Sequence, residues 1–218
     1  MGYSKMLLGL VLLITLAATS TAQPATTFKC ITTKATCHSL IDYVSPNTTN
    51  ISTILSLFQI KRFRDLLGAN GLSNSTSPNE TLKAKQRIRI PFPCLCENGT
   101  GISNRSPNYT VKKDDALYHI AAEIFSGLTT YEEVARVNGI TDRNKIEVGQ
   151  KLWIPLPCSC DEVAGAKVVH YGHVVEAGSS VERIAMTYGT TEDILLKLNG
   201  MVNAIQLLPG QVLDVPLK

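Results

Sequence analysis

IPFPCLC, from Ile90 to Cys96, returns as IPLPCSC from Ile154 to Cys160, and a third copy, Val215-Pro216-Leu217, closes the sequence. A stretch recurring about every 60 residues marks an internal repeat. In the second and third copies, Asn138-Gly139 and Asn199-Gly200 stand at one distance before the closing proline. Gly149-Gln150 aligns there with Gly210-Gln211, Leu152 with Leu213, and Ile154 with Val215, without a gap. Upstream, apolar residues recur at helical spacing: Leu117, Ile120, Ala121 and Ile124 in the second copy, and Val181, Ile184, Ala185 and Tyr188 in the third. A divergent first copy has Ile51, Ile54, Leu55 and Phe58.

A second helix is expected over Thr130 to Val137, where Thr130 and Glu133 have capping-box spacing, and over Thr190 to Leu198. Asn-Gly pairs, Asn70-Gly71 included, should end these helices, because both residues tolerate a left-handed backbone. Short alternating segments at Tyr109 to Lys112, Lys151 to Ile154, His173 to Val175 and Val212 to Val215 read as strands. Each unit is strand, helix, helix, strand, which makes the fold class α+β.

At the N-terminus, Lys5, an apolar run from Met6 to Ala18 and the small residues Ser20 and Ala22 read as a secretory signal peptide cleaved before Gln23. Seven Asn-x-Ser/Thr sequons follow, at Asn47, Asn50, Asn74, Asn79, Asn98, Asn104 and Asn108, and none lies beyond them. The net charge of +3 is small and the basic residues are dispersed, which argues against nucleic acid as a partner.

Six cysteines behind a secretion signal imply three disulfides, whose connectivity the spacing leaves open. Two Cys-x-Cys pairs could ligate zinc. The spacing is tighter than a C-x2-C knuckle and the compartment is oxidising, so no metal or cofactor is expected. Catalysis is not expected either. The carboxylate pairs Asp114-Asp115, Glu132-Glu133 and Asp161-Glu162 are sequence neighbours that diverge on a helix or strand, and Asp114-Asp115 reads as a helix start. His38, His119, His170 and His173 lack nucleophile or metal-ligand spacing, and Trp153, the single tryptophan, is expected buried on a closing strand.

These units resemble lysin-motif (LysM) domains. Three of them, separated by two Cys-x-Cys pairs after an N-terminal cysteine pair, resemble the ectodomain of plant LysM chitin receptors of the GPI-anchored kind; DLLGANGL (Asp65 to Leu72) and KLWIPLPCSCD (Lys151 to Asp161) are similar in detail. The resemblance implies three tandem βααβ repeats packed into one disulfide-stapled body. Their boundaries would be 1–22 for the signal peptide, 23–97 for the divergent first repeat, 98–161 for the second and 162–218 for the third. It implies the pairs Cys30 with Cys96, Cys37 with Cys160, and Cys94 with Cys158.

Functionally, the resemblance implies extracellular binding of chitin oligosaccharides by a receptor subunit of plant innate immunity. Peptidoglycan and lipo-chitooligosaccharide, which share the β-1,4 amino-sugar backbone, are the alternatives. A LysM receptor kinase as co-receptor and a ligand-bridged homodimer are the implied partners. Relatives continue into a GPI-anchor signal, which would place the protein on the outer face of the plasma membrane; the sequence to Lys218 contains none. In such domains the groove lies between two loops. Carried onto the second repeat, Lys113, Asp114, Asp115, Ala116 and Leu117 form one wall, and Thr141, Asp142, Arg143, Asn144, Lys145 and Ile146 the other, with Ile146 against an acetyl methyl. Sequons flank the corresponding loops of the first repeat. In the third, the uncharged loops Ala177 to Ser180 and Met201 to Gln206, which include Ile205, are expected to serve packing.

Overall fold

The computed structural model describes residues 27–218; the expected signal peptide lies outside them. The described chain opens with β1 (Phe28–Lys29), β2 (Thr36–Val44), β3 (Thr49–Asn50), α1 (Ile51–Leu57), α2 (Phe63–Ala69), β4 (Thr81–Leu82) and β5 (Arg87–Glu97). Strands β2 and β5 pair antiparallel from Thr36↔Leu95 to Val44↔Arg87, so both helices are inserted between partner strands. Asn50 caps α1 by accepting from the Thr53 N–H at 2.9 Å. Burial alternates along β5, with Ile88, Ile90, Phe92, Cys94 and Cys96 inward. A period of two therefore sets both thiols of the first Cys-x-Cys on one face.

Next come β6 (Thr100–Ser103), which turns back on β5, and β7 (Asn108–Thr110). Helix α3 (Leu117–His119) runs into a π turn over Ile120–Ile124, and α4 (Tyr131–Val137) and β8 (Lys151–Trp153) complete the second unit. The expected apolar stripe is present, but it is wound more loosely: the Phe125 N–H donates to the Ile120 carbonyl at 3.0 Å, five residues back. The third unit is β9 (Val169–Val174), α5 (Val181–Tyr188), α6 (Glu192–Leu198) and β10 (Val212–Leu217). Strand β9 begins earlier than its alternation suggests because it pairs with β10 from Val169↔Leu217 to Val174↔Val212. It also lies parallel to β2 through Leu40↔Tyr171, giving one six-stranded sheet, β1-β6-β5-β2-β9-β10. β7 and β8 form a separate ladder.

The helix ends differ from expectation. Gly71, Gly139 and Gly200 adopt φ of 61°, 64° and 62°, whereas Asn70, Asn138 and Asn199 do not enter the left-handed region. Each asparagine is instead a clamp. Asn138 Nδ2 donates to the Val134 and Trp153 carbonyls, both at 2.8 Å, and its Oδ1 accepts from the Trp153 N–H at 2.9 Å. Asn70 makes the same set with Leu66 and Arg89, and Asn199 with Leu195 and Asp214. A second device also recurs three times: the Gln86, Gln150 and Gln211 side chains accept from the N–H three residues back, at 2.9, 3.0 and 3.1 Å.

The apolar interior is divided in two. One cluster joins the first and second units through edge-to-face contacts between Tyr43 and Phe58 at 5.0 Å, Phe58 and Phe125 at 5.6 Å, and Phe125 and Tyr109 at 6.1 Å. The other, around Tyr171, Ile184, Leu195, Leu213 and Val215, belongs to the third unit. Buried Asp42 links them by accepting from the Tyr171 hydroxyl, the Arg87 guanidinium and, at 3.1 Å, the Val174 N–H. Burial, with the Asp42 charge, pushes the Tyr171 phenol far up, so it stays a donor. The disulfides are Cys30–Cys96, Cys37–Cys160 and Cys94–Cys158, as the resemblance implies.

Candidate functional site

The β7–β8 register positions the groove loops. Thr110 faces Lys151, and beyond them the Val111 N–H donates to the Gln150 carbonyl at 2.9 Å while the Gly149 N–H returns to Val111 at 2.8 Å. Both walls therefore leave the same end of the ladder, and Asn108, opposite Trp153, lies at the other end. Asp115 does not cap α3. Its Oδ2 accepts from the Tyr109 hydroxyl at 2.9 Å and the Lys112 N–H at 2.7 Å, folding the first wall into a turn. That turn carries Asp114 at φ 69° and leaves Lys113, Asp114 and Ala116 exposed. Burial, then the hydrogen bond to Asp115, push the Tyr109 phenol up. Leu117 sits in the core, 2% exposed, and can offer the groove only its backbone.

On the second wall Thr141, Arg143, Asn144 and Lys145 are exposed. Asp142 Oδ1 accepts from the Asn144 N–H at 3.1 Å, and Lys145 Nζ lies 3.2 Å from Asp142. Ile146 is half-buried and packs against the shared core, so only part of its side chain faces outward.

Sequence reasoning named Arg143 but passed over the two aromatic residues that join it to the first wall, Tyr118 and Tyr131. Tyr118, 60% exposed, packs edge-on against Tyr131 at 6.4 Å, and the Arg143 guanidinium lies over the Tyr131 ring at 5.3 Å, within 3.6 Å of Glu132. This row runs from the first wall to the second. Burial alone would raise the Glu132 pKa, but hydrogen bonding from Tyr131 and Thr130 and the Arg143 charge hold it below the ordinary value. The available signal was an aromatic lying off the apolar helix stripe. His119 is part-exposed, its Nδ1 3.2 Å from Glu123.

The third unit differs from expectation. The repeated glutamine turn makes Leu207 the counterpart of Ile146, and Leu207 likewise packs on its own core. Ile205 and Val202 are 89% and 84% exposed, so that loop is not packed away. Six sequon asparagines are exposed and Asn50, the α1 cap, is half-buried.

Comparison with known proteins agrees with this fold. The LysM domain family matches residues 109–155 and 173–216. The chain is 50% identical over 212 residues to LysM domain-containing GPI-anchored protein 2 of Arabidopsis thaliana, covering 97% of this chain and 61% of that protein. It is 43% identical over 194 residues to the chitin elicitor-binding protein of Oryza sativa subsp. japonica, covering 88% of this chain and 54% of that one. It thus spans little more than half the length of these relatives. Among solved structures, the ectodomain of a receptor-like kinase superposes with a TM-score of 0.68 at 22% identity, covering 87% of this chain and 94% of that one. That likeness concerns the fold alone. Residues 109–155 and 173–216 are LysM domains, and the chain is a LysM-domain protein.

Proposed function

We propose that the protein is a non-catalytic, extracellular carbohydrate-binding subunit whose ligand is a chitin oligosaccharide, held between the two loops of the second unit. The observation that carries this reading is the Tyr118–Tyr131–Arg143 row running between two walls that leave the ladder at one end. The wall charges balance, Lys113, Arg143 and Lys145 against Asp114, Asp115 and Asp142, which suits a neutral sugar chain. Acetamido groups pair with loop N–H and C=O groups, and the open part of Ile146 meets an acetyl methyl.

Similarity to a chitin elicitor-binding protein and to GPI-anchored relatives supports an immune receptor on the outer face of the plasma membrane. Its fold likeness to a receptor-like kinase ectodomain supports a LysM receptor kinase as co-receptor, with ligand-bridged pairing of two copies as a second mode. The asparagine and glutamine devices at 70 and 86 support counting the first unit as a third, divergent repeat, with the boundaries given above. Occupied sequons at Asn47, Asn50, Asn74 and Asn79 would screen its loops.

The test is calorimetry with a chitin octamer, with muropeptide and acylated oligomer as competitors. Tyr118→Ala should weaken binding by about 1 kcal/mol without loss of stability, since the ring is exposed. Ile146→Gln should weaken binding by about 1–3 kcal/mol and, because Ile146 touches the core, also lower the melting temperature. Loss of binding in Leu207→Gln, with both second-unit variants unaffected, would move the site to the third unit.

A further inference from the structure

Asn108 and Trp153 face each other across the β7–β8 ladder. Hydrogen bonds flank them: the Ile154 N–H donates to the Pro107 carbonyl at 2.9 Å, and Val111 donates to Gln150 at the same distance. The N–H groups of the two residues themselves point outward, to Gln59 Oε1 at 3.1 Å and Asn138 Oδ1 at 2.9 Å. They are therefore a non-hydrogen-bonded pair, the kind whose side chains lie closest and on one face of the ladder.

Trp153 is only half-buried on that face, and its backbone N–H and C=O are taken by Asn138. Its indole N–H is buried with no partner among the described residues. What the residue leaves open is hydrocarbon ring. Asn108 is exposed and heads the sequon Asn108-Tyr109-Thr110. Its Nδ2 donates at 3.0 Å to the Arg105 carbonyl, while its contact with Gln59 Oε1 is long, at 3.5 Å. One amide hydrogen is well used, and the other can be replaced.

We propose that Asn108 is N-glycosylated and that its innermost N-acetylglucosamine packs on the open face of Trp153, as part of the second unit's structure. Transfer forms an Nδ2–C1 bond as the C1–O bond of a polyisoprenyl-diphosphate-linked oligosaccharide breaks; the diphosphate leaves and the displaced amide proton passes to a base. The remaining Nδ2–H keeps its bond to Arg105. The apolar C–H face of the pyranose then covers indole carbon that water would otherwise meet, beside a ladder only three residues long. The sugar lies at the end of that ladder opposite the groove loops and leaves them open.

Trp153 is the only tryptophan, so its fluorescence reports the contact directly. The test uses the secreted protein carrying high-mannose glycans, with Asn108 occupancy read by peptide mass spectrometry. Endoglycosidase H, which leaves one N-acetylglucosamine, should keep the emission maximum and the resistance to acrylamide quenching. Full removal by peptide N-glycosidase should shift emission to the red, increase quenching and lower the melting temperature by about 2–4 °C. Thr110→Ala, which abolishes only this sequon, should reproduce those changes, and Asn104→Gln should not. An unoccupied Asn108, or quenching unchanged by both full removal and Thr110→Ala, overturns the proposal.

Discussion

Lys85 shows how a single residue can depart from its repeat. It adopts φ 62° at the position filled in the other units by Gly149 and Gly210, at 88° and 81°, and its N–H returns to Ser45 as theirs return to Val111 and Val175. A side chain in the left-handed region costs about 1–2 kcal/mol. Lys85→Gly should therefore stabilise the protein by about 0.5–1 kcal/mol after the added backbone entropy, read by urea denaturation; a destabilised variant would show that the lysine side chain contributes more than its backbone costs. Gly101 is the reverse case. A Cβ there would stand 2.0 Å from the Cys158 carbonyl oxygen, on the segment whose Cys158 N–H donates to the Gly101 carbonyl. Gly101→Ala should cost about 3 kcal/mol or more and lower the yield of secreted protein.

At the scale of elements, the asparagine clamps tie each second helix to its closing strand. Asn138→Ala should cost about 1–3 kcal/mol, because the Trp153 N–H and C=O lose their partner, and Asn138→Asp should recover only the accepting half. The Asn-Gly pairs were legible in the sequence as helix ends. That the asparagine clamps the closing strand through its amide was not, because its partners on that strand lie 15 or 19 residues away.

The third unit is held by buried His170, whose Nδ1 lies 2.9 Å from Asp214 Oδ1 and whose Nε2 lies 2.8 Å from the Asp161 carbonyl oxygen. The Asp161 carbonyl oxygen can only accept, so Nε2 donates to it, while Nδ1 faces the Asp214 carboxyl group. Burial alone would lower the imidazole's pKa; Asp214 and the Asp161 carbonyl outweigh it and hold it above the ordinary value. The resulting stability is complete below about pH 6.5 and is lost as pH rises through the folded-state value. Burial would raise Asp161, yet bonds from Ile31 and Thr32 hold it below the usual carboxylate range, so its contribution is lost only as pH falls through that lower value. Denaturation midpoints should therefore plateau in mild acid and fall on the alkaline side. His170→Gln should remove the alkaline limb; an unchanged limb would assign it to another group.

Over the whole molecule, two of the three disulfides join the first unit to the closing segment of the second. Cys37–Cys160 closes 123 residues and ties the first unit's β2 to the segment entering the third, whereas Cys94–Cys158 closes 64. Doubling a loop adds about 0.6 kcal/mol of closure entropy, so Cys37→Ala/Cys160→Ala should destabilise more than Cys94→Ala/Cys158→Ala by roughly that amount. Equal losses by chemical denaturation would show that native packing sets the cost. The sheet adds a join that no periodicity reveals, since β9 pairs with β2 through Leu40↔Tyr171 and Ile41↔Gly172, residues far apart in the sequence.

The sequence by itself determined the repeat, its strand and helix order, the inward faces and the places where chains of sugar can attach, because these depend on local spacing and on residues a few positions apart. Tertiary structure alone decided that the interior is two clusters, that Leu117 is buried while Ile146 is only half open, and that Tyr118, Tyr131 and Arg143 meet in one row. Each of those outcomes depends on which surface is left over once distant elements have packed, and burial is a property of the assembled chain rather than of any short segment of it.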